Sequence, residues 1–255
     1  MLKKYFERFE NFVFDMNGTI WRWSELVPGF AQVFQILENF GKNVYLFTDS
    51  TLLTKEGFVN KLKTFGIEME KERIVTPSQV AVKLFQGKKV FCIGEGLITE
   101  LRKANVKVTD SRADAVLIGM DRNVNYDKLR KACEMVLENV KLYKTSKNNV
   151  FFNGSRIMPN AGAIAKVVEA TTGKKAELIG APSKYMVKEF EELNLEPEKT
   201  VLFGDECDTD IALGNVLGYT TVLVTTGKDG EADYLKARGI NEPKLVMKSV
   251  KGILK

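Results

Sequence analysis

Two carboxylates stand where short apolar runs end: Asp15 after Asn11-Phe-Val-Phe, and Asp205 after Thr200-Val-Leu-Phe-Gly. Such runs read as buried strands, and open α/β sheets place their sites at the carboxyl ends of strands. Asp15 continues into Met16-Asn17-Gly18-Thr19. Taken alone, Asn-Gly after a strand describes a hairpin turn equally well. Asp205 continues into Glu206-Cys207-Asp208-Thr209-Asp210, which puts four carboxylates in six residues. Taken alone, Thr209 is a helix N-cap with Asp210 in the first turn, where the helix dipole favours an anion. A cap needs fewer acids than this. Like charges repel, so the density points to a bound cation. An EF-hand loop fits poorly, because the sixth position after Asp205 is Ile211 rather than glycine. If the two strand ends meet across a parallel sheet, their hard oxygen ligands suit Mg²⁺ plus a phosphate. A carboxylate beside that ion can attack phosphorus and form an aspartyl-phosphate.

The composition narrows the chemistry further. The chain has no histidine, which excludes Ser-His-Asp and Cys-His catalysis and His-ligated metals. Cys92, Cys133 and Cys207 are odd in number and far apart, so neither a zinc site nor a disulfide framework is expected. Lys plus Arg less Asp plus Glu is 38 − 33 = +5. That mild excess suits an anionic substrate, but the cations are scattered among acids, so no nucleic-acid partner is expected. The charged residues 1–10 do not read as a signal peptide. No apolar run approaches the roughly 18 residues of a membrane span, so no membrane partner is expected. A cytoplasmic protein follows as the default. A homodimer is left open.

These residues need a scaffold, and the apolar pattern supplies one. Strands are expected at 12–15, 43–48, 89–93, 115–120, 200–203 and 221–224. Helices are expected at 29–40, 54–65, 97–104, 126–139, 160–170, 184–193 and 210–217. Alternation of short apolar runs with longer helical patterns predicts βα units and a parallel sheet. Gly94-Glu-Gly96 after a strand lacks the third glycine of a dinucleotide fingerprint, since Thr99 stands there, and reads as a tight turn.

Four segments then resemble, in order, the motifs of the haloacid dehalogenase superfamily, closest to its NagD-like or p-nitrophenyl phosphatase subgroup. They are Asp15-Met-Asn17-Gly18-Thr19, Thr48-Asp49-Ser50-Thr51, Gly180-Ala181-Pro182-Ser183-Lys184 and Gly204-Asp205 through Asp210. Pro159-Asn-Ala-Gly162 and Thr225-Thr-Gly227 extend the likeness. The resemblance implies a Rossmann-like three-layer α/β core from residues 1–75 and 176–255, with a smaller α/β cap inserted at 76–175. It implies Asp15 as nucleophile and Mg²⁺ ligand, with the backbone carbonyl of Asn17 and Asp205 completing the protein ligands and Asp210 supporting them. Gly18, Thr48 and nearby N–H groups would hold the phosphate of a small phosphorylated metabolite.

The chain departs from that pattern at the chemistry. Asn17 stands where the family's phosphatases carry the aspartic acid that protonates the leaving oxygen. An amide cannot, and such help is worth about 10²–10⁴ in rate. Ala181 stands where the family has lysine; Lys184, one helical turn on, could replace it or simply be a surface lysine. Asp49-Ser50 replace Asn-Asn, and the cap's Thr-Asn-x-Asp aligns with Thr145-Ser146-Lys147-Asn148, where Lys147 could meet an anionic substrate group. The reading is therefore a Mg²⁺-dependent phosphatase on a small phosphate monoester, with weak activity. The alternatives are a non-catalytic phosphate-ligand sensor and, less consistent with Asp205 and Asp210, a dehalogenase.

Overall fold

A computed structural model describes residues 1–22, 24–153 and 156–255. The chain forms two compact units, one from Met1–Thr48, Val59–Val75 and Val187–Lys255, the other from Asp49–Phe58 and Thr76–Met186.

The first unit is built on six parallel strands: β1 (Asn11–Asp15), β2 (Asn43–Phe47), β3 (Ile74–Val75), β4 (Thr200–Gly204), β5 (Thr220–Val224) and β6 (Leu245–Met247). Their order is β6-β5-β4-β1-β2-β3. The chain thus winds outward from β1 in one direction and later returns to its other side. This is the strand reversal at which open α/β sheets form a crevice. β1 and β4 are buried along their whole length, which is why each reads as an unbroken apolar run. Phe12 and Phe14 stack on Phe203 of β4, with the Phe14 and Phe203 centroids 4.8 Å apart. The helix Phe30–Asn39 buries Phe30, Val33, Phe34 and Leu37, one face at helical spacing. Flanking helices around a parallel sheet make this unit the Rossmann-like fold that the family resemblance implies.

In the second unit five parallel strands run in the order Glu177–Leu178, Lys141–Lys144, Ala115–Ile118, Lys89–Ile93, Lys107–Val108. Helices Tyr126–Leu137 and Ala161–Thr172 pack Ala132, Val136, Ala165 and Val168 against Val116 and Ile118. An antiparallel pair, Val150–Asn153 with Arg156–Pro159, accompanies the sheet. The strand Glu177–Leu178 pairs with Lys141–Lys144, so the segment beyond residue 175 groups with this unit. Residues 49–58 do so as well, through close backbone approach. A Cβ on Gly96 would lie 2.6 Å from the Leu53 carbonyl carbon, and the Met120 N–H donates to Thr51 Oγ1 at 3.0 Å.

One local expectation fails. Thr209 does not cap a helix beginning at Asp210. Residues Cys207–Ile211 form a single π-helical turn, and the α-helix begins at Ala212. The carboxylate of Asp210 folds back onto the preceding amides and takes the capping role. Such turns concentrate at functional sites.

Candidate active site

β1 and β4 pair in register, Phe14 opposite Phe203, so Asp15 and the Gly204-Asp205 corner leave the sheet at the same edge. Asp15, Asp205 and Asp210 are all buried, and one oxygen from each lies within 4.8 Å of the others. Residues 190 apart in sequence thus form one acidic cluster.

The local backbone explains how. Asp210 Oδ2 accepts the N–H groups of Asp205 and Glu206, both at 3.0 Å, and Thr209 donates its hydroxyl to Asp210 Oδ1 at 3.1 Å. Asp210 is therefore the keystone of the loop. Gly204 has to be glycine, since a Cβ there would lie 2.2 Å from that of Asp210. Asp205 sits in a notch between two more glycines. A Cβ on Gly18, at φ +91°, would come 2.4 Å from Asp205 Oδ2, and one on Gly227 would come 1.9 Å from it. Asp205 Oδ2 accepts the Lys228 N–H at 2.7 Å. The Thr226 hydroxyl donates to the Gly18 carbonyl at 2.6 Å, and Arg22 Nε donates to the Thr226 carbonyl.

Burial pushes the Asp205 carboxyl up to about 8, with the charge of Glu206 acting in the same direction. The Lys228 amide and a hydrogen bond with Asp15 pull against it. A cluster of buried carboxylates held this close fits a divalent cation, which removes the cost of gathering them. The sign of the pH dependence follows. A carboxyl raised from 3.8 to about 8 contributes stability below its unfolded value and loses it as pH rises through its folded value. A divalent cation held by this cluster would compensate only where Asp205 is ionised. Differential scanning fluorimetry should show a larger Mg²⁺-induced rise in melting temperature at about pH 9 than at about pH 5. Cys207 lies in the same loop, but burial and the nearby Asp229 push its thiol up to about 12, so it is no nucleophile.

Asn17 is tied at both ends of its amide. Oδ1 accepts the Trp21 indole N–H at 2.9 Å, and Nδ2 donates to Thr48 Oγ1 at 3.1 Å. The structure thus gathers Asp15, Asn17, Gly18, Thr48, Asp205 and Asp210 within the first unit. Sequence reasoning overlooked Trp21 and Lys228 and quoted Thr226 only as part of the family likeness; the Thr-Gly pair after a strand was the available signal for Thr226 and Lys228.

Asp49, Ser50, Lys147 and Lys184 belong to the second unit. Lys184 is well exposed, with its ammonium 3.6 Å from Glu177. Lys147 is half-buried and Ser50 is buried. Asp49 Oδ2 accepts from the Ser146 hydroxyl at 2.5 Å and from Asn148 Nδ2 at 3.1 Å. Two departures from the family pattern therefore compensate each other. Where that pattern has an amide at 49 and an acid at 148, this chain has the acid at 49 and the amide at 148. Asn148→Asp should cost about 1–2 kcal/mol in chemical denaturation, by facing two carboxylates, and Asp49→Asn in the same chain should restore most of it.

Comparison with known proteins bears on the family and the fold. The family model described as haloacid dehalogenase-like hydrolase matches residues 12–107, and a second, HAD-hydrolase-like, matches residues 178–253. Chronophin of Mus musculus is 29% identical over 84% of this chain and 80% of its own. The ribonucleotide monophosphatase NagD of Escherichia coli K12 is 28% identical over 86% of this chain and 88% of its own. The solved structure of a 4-nitrophenylphosphatase from Thermotoga maritima superposes with a TM-score of 0.88 at 26% identity, covering 98% of both chains. With its acidic strand ends converged and both halves of its core matched, the chain belongs to the haloacid dehalogenase-like hydrolases, in their NagD-like branch.

Proposed function

We propose that this chain is a Mg²⁺-dependent phosphatase that moves the phosphoryl group of a small phosphate monoester onto Asp15, and that it turns over slowly. The observation that carries this reading is the buried triad of Asp15, Asp205 and Asp210, with ligand oxygens within 4.8 Å of one another. Phosphoric monoester hydrolysis is also the activity for which the relatives are named.

Asp15 and Asp205, with the Asn17 carbonyl, would hold the ion, and Asp210 would fix the loop that carries Asp205. Bound Mg²⁺ supplies positive charge against the oxygens of the transferring group. An Asp15 oxygen forms the new bond to phosphorus while the ester P–O bond breaks and its electron pair leaves with the alkoxide. The Thr48 hydroxyl would steady a phosphoryl oxygen. Asn17 has no proton of suitable acidity to give, so the alkoxide takes its proton from water. The same amide cannot activate water for the second step, so the acyl phosphate on Asp15 is consumed slowly. The outcome is a phosphatase best suited to esters whose leaving group is already a weak base.

The test is hydrolysis of 4-nitrophenyl phosphate by the purified chain. Slow release that needs Mg²⁺ and vanishes in Asp15→Asn supports the reading. Release that survives Asp15→Asn, or none at saturating Mg²⁺, sinks it.

A further inference from the structure

We propose that Trp21 is the positioning residue of this site: its indole N–H fixes the Asn17 amide and thereby turns the Thr48 hydroxyl proton toward the phosphate. The proposal rests on the function proposed above and concerns how that site holds its ligand.

Trp21 lies on a two-residue strand, Trp21–Arg22, that pairs with Glu25–Leu26. Its side chain is fully buried. A buried indole N–H needs an acceptor, and it finds Asn17 Oδ1 at 2.9 Å. This contact settles which way the amide faces. The indole is a donor only. Reversing the amide would set N–H against N–H. With Oδ1 held by Trp21, Nδ2 must face Thr48, whose Oγ1 lies 3.1 Å away. A hydroxyl oxygen that accepts from Asn17 sends its own proton elsewhere. Thr48 is fully buried just beyond β2, the strand that pairs directly with the one ending at Asp15. The relay thus presets a hydroxyl donor instead of an acid–base group.

A second feature strengthens the donor. Lys61 places its ammonium 4.0 Å from the centroid of the Trp21 ring. A cation on the π-face draws electron density from the ring, which makes the indole N–H a better donor to Asn17. Phe65 lies against the same indole, centroids 6.2 Å apart. Trp21 is thus held by packing as well as by its hydrogen bond. The relay also explains how the chain keeps its phosphate site with an amide at position 17. The amide is a structural strut between two side chains.

The test follows the indole N–H by ¹H–¹⁵N spectroscopy while the full chain is titrated with Mg²⁺ and then with inorganic phosphate. Trp23→Phe assigns the signals, leaving Trp21 as the single indole. The Trp21 signal should be protected from solvent exchange and should shift on adding phosphate. Trp21→Phe, which keeps an aromatic ring beside Lys61 and Phe65, should weaken phosphate binding roughly 3–10-fold by calorimetry. It should keep the stabilisation given by Mg²⁺ alone. A Trp21 signal that stays put at saturating phosphate overturns the proposal, whether or not Trp21→Phe folds. So does unchanged phosphate affinity in a folded Trp21→Phe. If the unaltered chain binds no phosphate with Mg²⁺ present, the proposed function itself fails, and this inference with it.

Discussion

Asn17→Asp should raise turnover by about 10²-fold or more on an alkyl phosphate, and by less on 4-nitrophenyl phosphate. The expected gain is the rate worth of one positioned general acid–base group. It should be larger for the alkyl ester because an alkoxide needs a proton to leave, whereas a nitrophenolate does not. The structure accommodates the change without rearrangement. An aspartate at 17 occupies the same volume and accepts the same indole N–H from Trp21 at the 2.9 Å now spanned to Oδ1, with its second oxygen facing Thr48 Oγ1 where Nδ2 now lies. Steady-state kcat on both esters, for both proteins, checks this. Equal rates on the alkyl ester would mean that residue 17 is not what limits turnover.

Asp205→Asn should have two opposite effects. Hydrolysis and the thermal response to Mg²⁺ should disappear, because the cluster loses one of the carboxylates that would hold the ion. The metal-free protein should nonetheless gain on the order of 1–2 kcal/mol at neutral pH, which for a chain of this length is roughly 2–8 °C in melting temperature. The reason lies in the notch around Asp205. Its carboxylate is buried against Gly18 and Gly227 and is opposed by Glu206. An asparagine keeps the oxygen that accepts from Lys228 N–H and is spared the proton uptake that folding imposes on Asp205 at neutral pH. Thermal melts with and without Mg²⁺ give both readings. A metal-free Asp205→Asn that melts below the parent would place the cost of this site elsewhere.

Much of this site could be read from residues alone, for a definite reason. β1 and β4 are buried on both faces, so their sequences are uninterrupted apolar runs that stop at acids. A parallel sheet then leaves few places for such ends to be. The helix Phe30–Asn39 was equally plain, because its four buried residues repeat at helical spacing. Other elements left weaker traces. Two-residue strands such as Ile74–Val75 and Glu177–Leu178 are defined by their partners rather than by any pattern of their own. The turn at Cys207–Ile211 looked like an ordinary capped helix because Thr-Asp is also a good cap. Its true geometry depends on Asp210 bending back to two amides. The pairing of Asp49 with Asn148 needed contact information, since each residue taken alone looked like a defect at a ligand site.

The most direct test asks where the phosphoryl group goes. Mixing the chain with 4-nitrophenyl phosphate and Mg²⁺ should give a burst of nitrophenolate approaching one equivalent of protein, followed by a slow phase. Intact mass during the slow phase should show a single added phosphoryl group, and peptide mapping after acid quench should place it on Asp15. Turnover without a burst or adduct, or an adduct on another residue, would contradict the convergence of Asp15 and Asp205 as the source of this chemistry.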